Sequence, residues 1–171
     1  MKPSLSRRLD AQARRMVPVA STFVLVLLAA VPLHVPGLAR VMPLLALIGI
    51  FHWTAYRPDL MPASAVFAIG LFQDIVGGGP VGLYAAVFLL VHIGVVARAR
   101  FFVGRGFVML WFGFALVAAV AGIAAWIGTM LFNVAVVDPR ALFYQYLLTL
   151  GIYPVLSLVF VRWHPSLATD D

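Results

Sequence analysis

An all-α, polytopic membrane fold of about six helices, with both ends in the cytoplasm, follows from three features of this sequence. Hydrophobic residues fill 64% of the 171 positions and charged residues only 11%, where an ordinary soluble domain has about 45–50% and about 25%. Apolar runs recur along nearly the whole chain, separated by short polar or glycine–proline breaks. Arginine gathers beside alternate breaks, as it does when one side of a membrane retains it. A soluble domain of this length could not keep so much apolar surface from water.

Residues 1–16 read as a basic cytoplasmic tail, with Lys2, Arg7, Arg8, Arg14 and Arg15 against a single Asp10. The first apolar run covers 17–35, with Pro18 near its start, where a missing N–H costs little. A basic segment before an apolar run also describes a signal peptide. Beyond this run, however, stand Pro32, Pro36 and Arg40 rather than a small-x-small cleavage pattern, and further apolar runs follow. A retained anchor is the expectation.

The second and third runs, 41–56 and 62–76, have about 15 residues each, or roughly 23 Å of helix, short of a hydrocarbon core of about 30 Å. A re-entrant hairpin there would sink Arg57 and Asp59 into the bilayer, at about 2.5–3.5 kcal/mol for each charge. Two short spans joined by the Tyr56-Arg57-Pro58-Asp59 turn in water are therefore expected. The break Gly77-Gly78-Gly79-Pro80 leads to a fourth run, 81–97. Arg98, Arg100 and Arg105 precede the fifth, 106–132, which is long enough to span with tilt. A polar break containing Asp138-Pro139 precedes the sixth, 141–161, and 162–171 form a short cytoplasmic tail.

With six spans and the N-terminus inside, Lys2, Arg7, Arg8, Arg14, Arg15, Arg57, Arg98, Arg100, Arg105 and Arg162 are cytoplasmic, and only Arg40 and Arg140 fall outside. That distribution obeys the positive-inside rule. Trp53, Tyr56, Trp111 and Trp163 fall near inner ends, and Tyr84, Trp126, Tyr144 and Tyr146 near outer ones, the positions of interfacial belts. The fifth run carries a face of small residues, including Ala118, Gly122 and Ala125. Another backbone could approach closely there, from the same bundle or from a partner's transmembrane helix. In the second case Gly122→Leu would block docking.

Little in the chain points to catalysis. There is no cysteine and no glutamate, and Lys2 is the single lysine. Thiol chemistry is excluded, and the glycine-rich stretch at 77–82 lacks the Lys-Ser/Thr end of a phosphate loop. His34, His52, His92 and His164 show no metal-ligand spacing, and His92 reads best as an interhelical hydrogen-bonder. Ser21, Ser64 and Ser157 have no nucleophile-elbow context. No cofactor or metal is expected. The net charge of +6 sits beside apolar runs, so nucleic acid is not an expected partner.

Asp74 is the one acid inside an apolar run, just before the glycine turn. An intramembrane acid is a functional candidate by default. Here a new helix begins about six residues on, with unpaired N–H groups and partial positive charge at its start. Bracing that turn is the leading reading, ahead of a partner or ligand contact and of proton relay.

Tyr56-Arg57-Pro58, Gly70-Leu71-Phe72-Gln73-Asp74 and Gly78-Gly79-Pro80-Val81-Gly82, followed by Arg98-Ala99-Arg100, resemble the rod shape-determining protein MreD family. Its members carry an aromatic residue with Arg-Pro in a turn, then Gly-Leu-x-x-Asp-x-x-x-Gly-x-Pro-x-Gly across two short helices. Gly70, Asp74, Gly78, Pro80 and Gly82 fall on that pattern, and Arg57 and Pro58 on the preceding turn. The likeness in length and layout covers nearly the whole chain. It implies a non-enzymatic, multi-pass subunit of the bacterial cytoplasmic (inner) membrane within the cell-elongation machinery, supporting peptidoglycan synthesis and cell shape. The implied partners are an MreC-type single-pass scaffold and, through it, MreB, a RodA-type glycosyltransferase and a penicillin-binding transpeptidase. The resemblance also implies the fold of the S subunits of energy-coupling-factor transporters. Such a vitamin-binding subunit is the alternative, with Asp74, Gln73, Tyr84 and Asn133 as its sparse outer polar groups.

The topology is directly testable. A compartment reporter fused after Phe102 should read as cytoplasmic and one fused after Pro139 as exported; identical signals from both would overturn the layout.

Overall fold

The computed structural model describes residues 5–31, 42–99, 106–133 and 138–163. Among these the chain is all-helical: α1 is Leu5–Ala30, α2 Leu45–Tyr56, α3 Ala63–Gly77, α4 Leu83–Ala97, α5 Phe107–Asn133 and α6 Pro139–Trp163. A 3₁₀ turn, Pro58–Leu60, joins α2 to α3. The last four helices start and stop within two residues of the expected apolar runs. The segments holding Lys2, Arg40, Arg100 and Arg105 lie outside the described residues.

Two boundaries differ. α2 starts at Leu45 rather than 41, because Pro43 lacks an N–H and disfavours helix in the residue before it. α1 starts at Leu5, inside the segment read as a tail, and stops at Ala30. Hydropathy marks apolar surface, whereas helix formation follows backbone preference, and Leu, Arg, Ala and Gln are all good helix formers. Pro18 is consequently in the helix interior, not near its start. The hydroxyls of Ser21 and Thr22 both donate to its carbonyl, at 2.9 and 2.8 Å.

Among the described α-helices α2 is the shortest, and it is the centre of the bundle. It touches every other helix, while α1, α3, α4, α5 and α6 follow one another around it. Ten consecutive residues, Ala46–Ala55, are buried. A helix apolar on every side has no face to give to solvent, so it goes inside. Phe51 lies edge-on to Phe114 of α5 at 5.3 Å, and the Phe114 ring stacks on Tyr153 of α6 at 4.3 Å.

Successive helices run antiparallel. Ser21 meets Trp53 across α1 and α2, Asp74 meets Gly82 at the α3–α4 turn, and Trp111 meets Leu150 across α5 and α6. The C-terminal ends of α2, α4 and α6, with Arg57, Arg98 and Arg162, therefore share one end of the bundle. Arg140, at the start of α6, is at the other.

α5 and α6 are long and apolar enough to cross a membrane, with only 28% and 17% of their apolar stretches buried. A core helix of a soluble protein would be mostly buried. Along α5 the side chains of Phe112, Leu116, Val120, Ile123, Ile127 and Leu131 all face outward. α2, α3 and α4 have 12, 15 and 15 residues, about 18–23 Å of rise.

The aromatic residues divide between surface and interior. Tyr56 and Tyr144 are exposed near helix ends, as an interfacial belt requires. Trp53, expected in that belt, is instead fully buried, and its indole N–H donates to Ser21 Oγ at 3.1 Å. Trp111 and Tyr146 likewise reach inward, to the carbonyls of Leu150 and Ala115.

The start of α2 is buried against α6, and α6 supplies its polar partners. The Leu44 N–H donates to Thr149 Oγ1 at 3.0 Å, and Gln145 Nε2 donates to the Met42 carbonyl at 2.8 Å. Thr149→Val keeps the shape but removes the acceptor, leaving a buried N–H unpaired. We expect a loss of about 1–3 kcal/mol, read as a lower thermal midpoint in detergent, whereas Thr149→Ser should retain most of the stability.

Candidate functional site: the α3–α4 turn

α3 ends because Gly78 adopts a left-handed conformation (φ +65°) that non-glycine residues rarely take. The N–H groups of Gly78 and Gly79 turn back to the carbonyl of Asp74. α4 opens at Gly82, also with positive φ (+97°). Glycine permits the bend there but has no side chain with which to cap the helix it begins.

Asp74 supplies the missing cap from the preceding helix. Its Oδ2 accepts the Gly82 N–H at 2.8 Å, its Oδ1 accepts the Tyr84 N–H at 2.9 Å, and the Ala85 N–H reaches Oδ2 at 3.4 Å. The side chain is 1% exposed. The helix N-terminus carries about half a positive charge, so the buried anion meets an oriented set of donors rather than bare hydrocarbon. Each hydrogen bond to a charged group is worth about 1.5–3 kcal/mol.

Gly70 lies one turn before Asp74, so both face α4. A Cβ at Gly70 would come within 2.7 Å of the Ala85 nitrogen and 2.8 Å of the Tyr84 carbonyl oxygen. Backbone cannot yield as a flexible side chain does, so any larger residue there would force the helices apart. Gly70 thus allows the close approach that brings Asp74 onto the start of α4. Pro80 contributes a carbonyl that accepts the Leu83 N–H at 3.2 Å.

The remaining sequence candidates are elsewhere. Arg57 and Pro58 sit at the opposite end of α3, about 22 Å of helix away. There Arg57 Nε approaches Asp59 Oδ1 at 3.4 Å in a largely exposed pair, an arrangement worth about 0–1 kcal/mol. Ala118, Gly122 and Ala125 are buried within the bundle. A Cβ at Gly122 would stand 3.1 Å from Leu142 Cδ1 of α6. Of the two readings of this face, packing within the bundle is the one seen at Gly122, where α6 returns antiparallel beside α5.

His92 shares a buried hydrogen bond with Thr54, Nδ1 to Oγ1, at 3.1 Å between α4 and α2. Ser157 donates to the Pro154 carbonyl one turn earlier in α6. Thr54, Gln145 and Thr149 were not singled out from sequence. The spacing of Gln145 and Thr149, four residues apart in an apolar helix, is the signal that pairs them on one face.

Asp74→Asn keeps one acceptor oxygen but loses the charge; Asp74→Leu leaves all three N–H groups without the carboxylate. Asn should cost about 1–2 kcal/mol and Leu at least twice that, measured as unfolding free energy in mixed detergent. Equal losses would show that acceptor capacity is not what Asp74 provides.

No family model matches the chain, and no curated protein or solved structure matches it either.

Proposed function

We infer that this chain is a non-enzymatic, multi-pass subunit of the bacterial inner membrane. It works in the cell-elongation machinery as an MreD-type partner of a single-pass, MreC-type scaffold. The observation that carries this reading is the Asp74 carboxylate on the start of α4. Gly70, Asp74, Gly78 and Gly82, four residues of the pattern shared with that family, all act on one turn, where they close one helix, open the next and hold the two together. A motif made of such residues builds a shaped surface. It presents no nucleophile, base or open acid.

Six short spans follow in this reading, with the Asp74 turn on the outer side. Arg57, Arg98 and Arg162 lie at the cytoplasmic end, in keeping with the positive-inside rule. Support comes from the antiparallel order of the helices and from the outward-facing apolar side chains of α5. Through the scaffold the subunit connects to MreB, a RodA-type glycosyltransferase and a penicillin-binding transpeptidase.

A vitamin-binding transporter subunit is the weaker reading. A small-molecule pocket needs several polar groups converging among apolar walls. The Asp74 carboxylate is already engaged by backbone N–H groups, and the Gln145 amide is engaged by Met42.

Affinity capture of the tagged full-length protein from native membranes, followed by identification of bound proteins, separates the two. The scaffold reading expects a single-pass protein with a large extracytoplasmic domain. Recovery of an ATPase module or a tightly held vitamin in its place would overturn it.

A further inference from the structure

α4 and α5 do not close completely on each other. Between them runs a groove of about 590 Å³ whose walls include Leu90, Gly94, Phe112 and Leu116, and whose far end is Arg98. Arg98 is the one charged residue among its lining side chains. It is exposed, and among the described residues the ion pair is Arg57 with Asp59, so no described carboxylate pairs with Arg98 there.

Gly94 shapes the wall of the groove. Glycine in a helix interior is unfavourable relative to alanine, and here no described neighbour demands it. Its backbone has an ordinary helical φ, and an added Cβ would meet no atom within 4 Å. This differs from Gly70 and Gly128, where a Cβ would collide with Ala85 and with Leu83. Gly94 thus leaves space in the wall of the groove, as Gly151 leaves space on α6.

We propose that this groove is a binding site for an anionic phospholipid of the cytoplasmic leaflet, with acyl chain between α4 and α5 and phosphate on Arg98. The proposal rests on the orientation inferred above. A long apolar slot ending in one cation has the polarity of an anionic amphiphile. A partner's transmembrane helix fits the charge less well, because its cytoplasmic end carries lysine and arginine by the same rule that orients this chain. Those cations would be set beside Arg98. Phosphate attracts the guanidinium through paired, charge-assisted hydrogen bonds.

The test uses the full-length protein in vesicles of equal phosphatidylglycerol and phosphatidylethanolamine, extracted in mild detergent, with retained lipid measured by native mass spectrometry. The wild type should retain phosphatidylglycerol in preference. Arg98→Gln should lower that preference about fivefold, the attraction of one basic residue for an anionic lipid surface; Arg98→Lys should keep most of it. Gly94→Leu, which the backbone can accommodate, should reduce retention of both lipids. Equal retention of the two lipids by the wild type, or an unchanged preference in Arg98→Gln, would overturn the proposal. So would a Gly94→Leu protein that keeps its lipid but loses a single-pass protein in capture from native membranes. A missing lipid preference with the scaffold still captured removes this inference alone and leaves the functional reading standing.

Discussion

The structure depends on one carboxylate placed at the start of a helix. In apolar surroundings the first N–H groups of a helix have no water to turn to, and the residue at the cap position normally serves them. At the start of α4 that residue is Gly82, whose positive φ makes the turn but leaves it without a side chain. Asp74 meets the need from eight residues upstream, and its own charge is stabilised by the same groups. The two demands are met together or not at all. Because the anion belongs to α3 and the donors to α4, the hairpin is held as one piece, and Gly70 gives it the close fit that the hydrogen bonds need.

The same economy of polar groups holds elsewhere in the bundle. Thr54 with His92, Ser21 with Trp53, and Gln145 and Thr149 with the start of α2 all join different helices. Apolar packing in lipid is poorly directional, since neighbouring acyl chains are as apolar as a neighbouring helix. A few hydrogen bonds between helices therefore set rotation and depth where greasy contact alone would leave several arrangements similar in energy. Among the described side chains the outer surface is largely apolar, and Arg57, Asp59, Arg98, Asp138, Arg140 and Arg162 stand at or beside helix ends.

Much of this was legible in the sequence, for identifiable reasons. Apolar runs bounded by arginine, proline and glycine located four of six helices to within two residues, since each boundary had a chemical cause. Asp74 could be read because a lone acid before three glycines and a new helix has few partners other than that helix. Three features were hidden. The helical extension of α1 through the basic segment lies in backbone preference, which hydropathy does not report. The burial of Trp53 and the partners of the α2 start depend on which helices become neighbours, separated in sequence by 32 and by more than 100 residues. The small-residue face of α5 was visible, but which helix would lie against it was not; at Gly122 it is α6.

The position of α2 has a consequence for how the protein is made. α2 is translated well before α6, yet two of the groups that satisfy its first turn, Gln145 and Thr149, belong to α6. Until α6 arrives, the start of α2 lacks these two partners and α2 lacks its full enclosure. The emergence of α6 is thus the step in synthesis that lets the start of α2 settle into place.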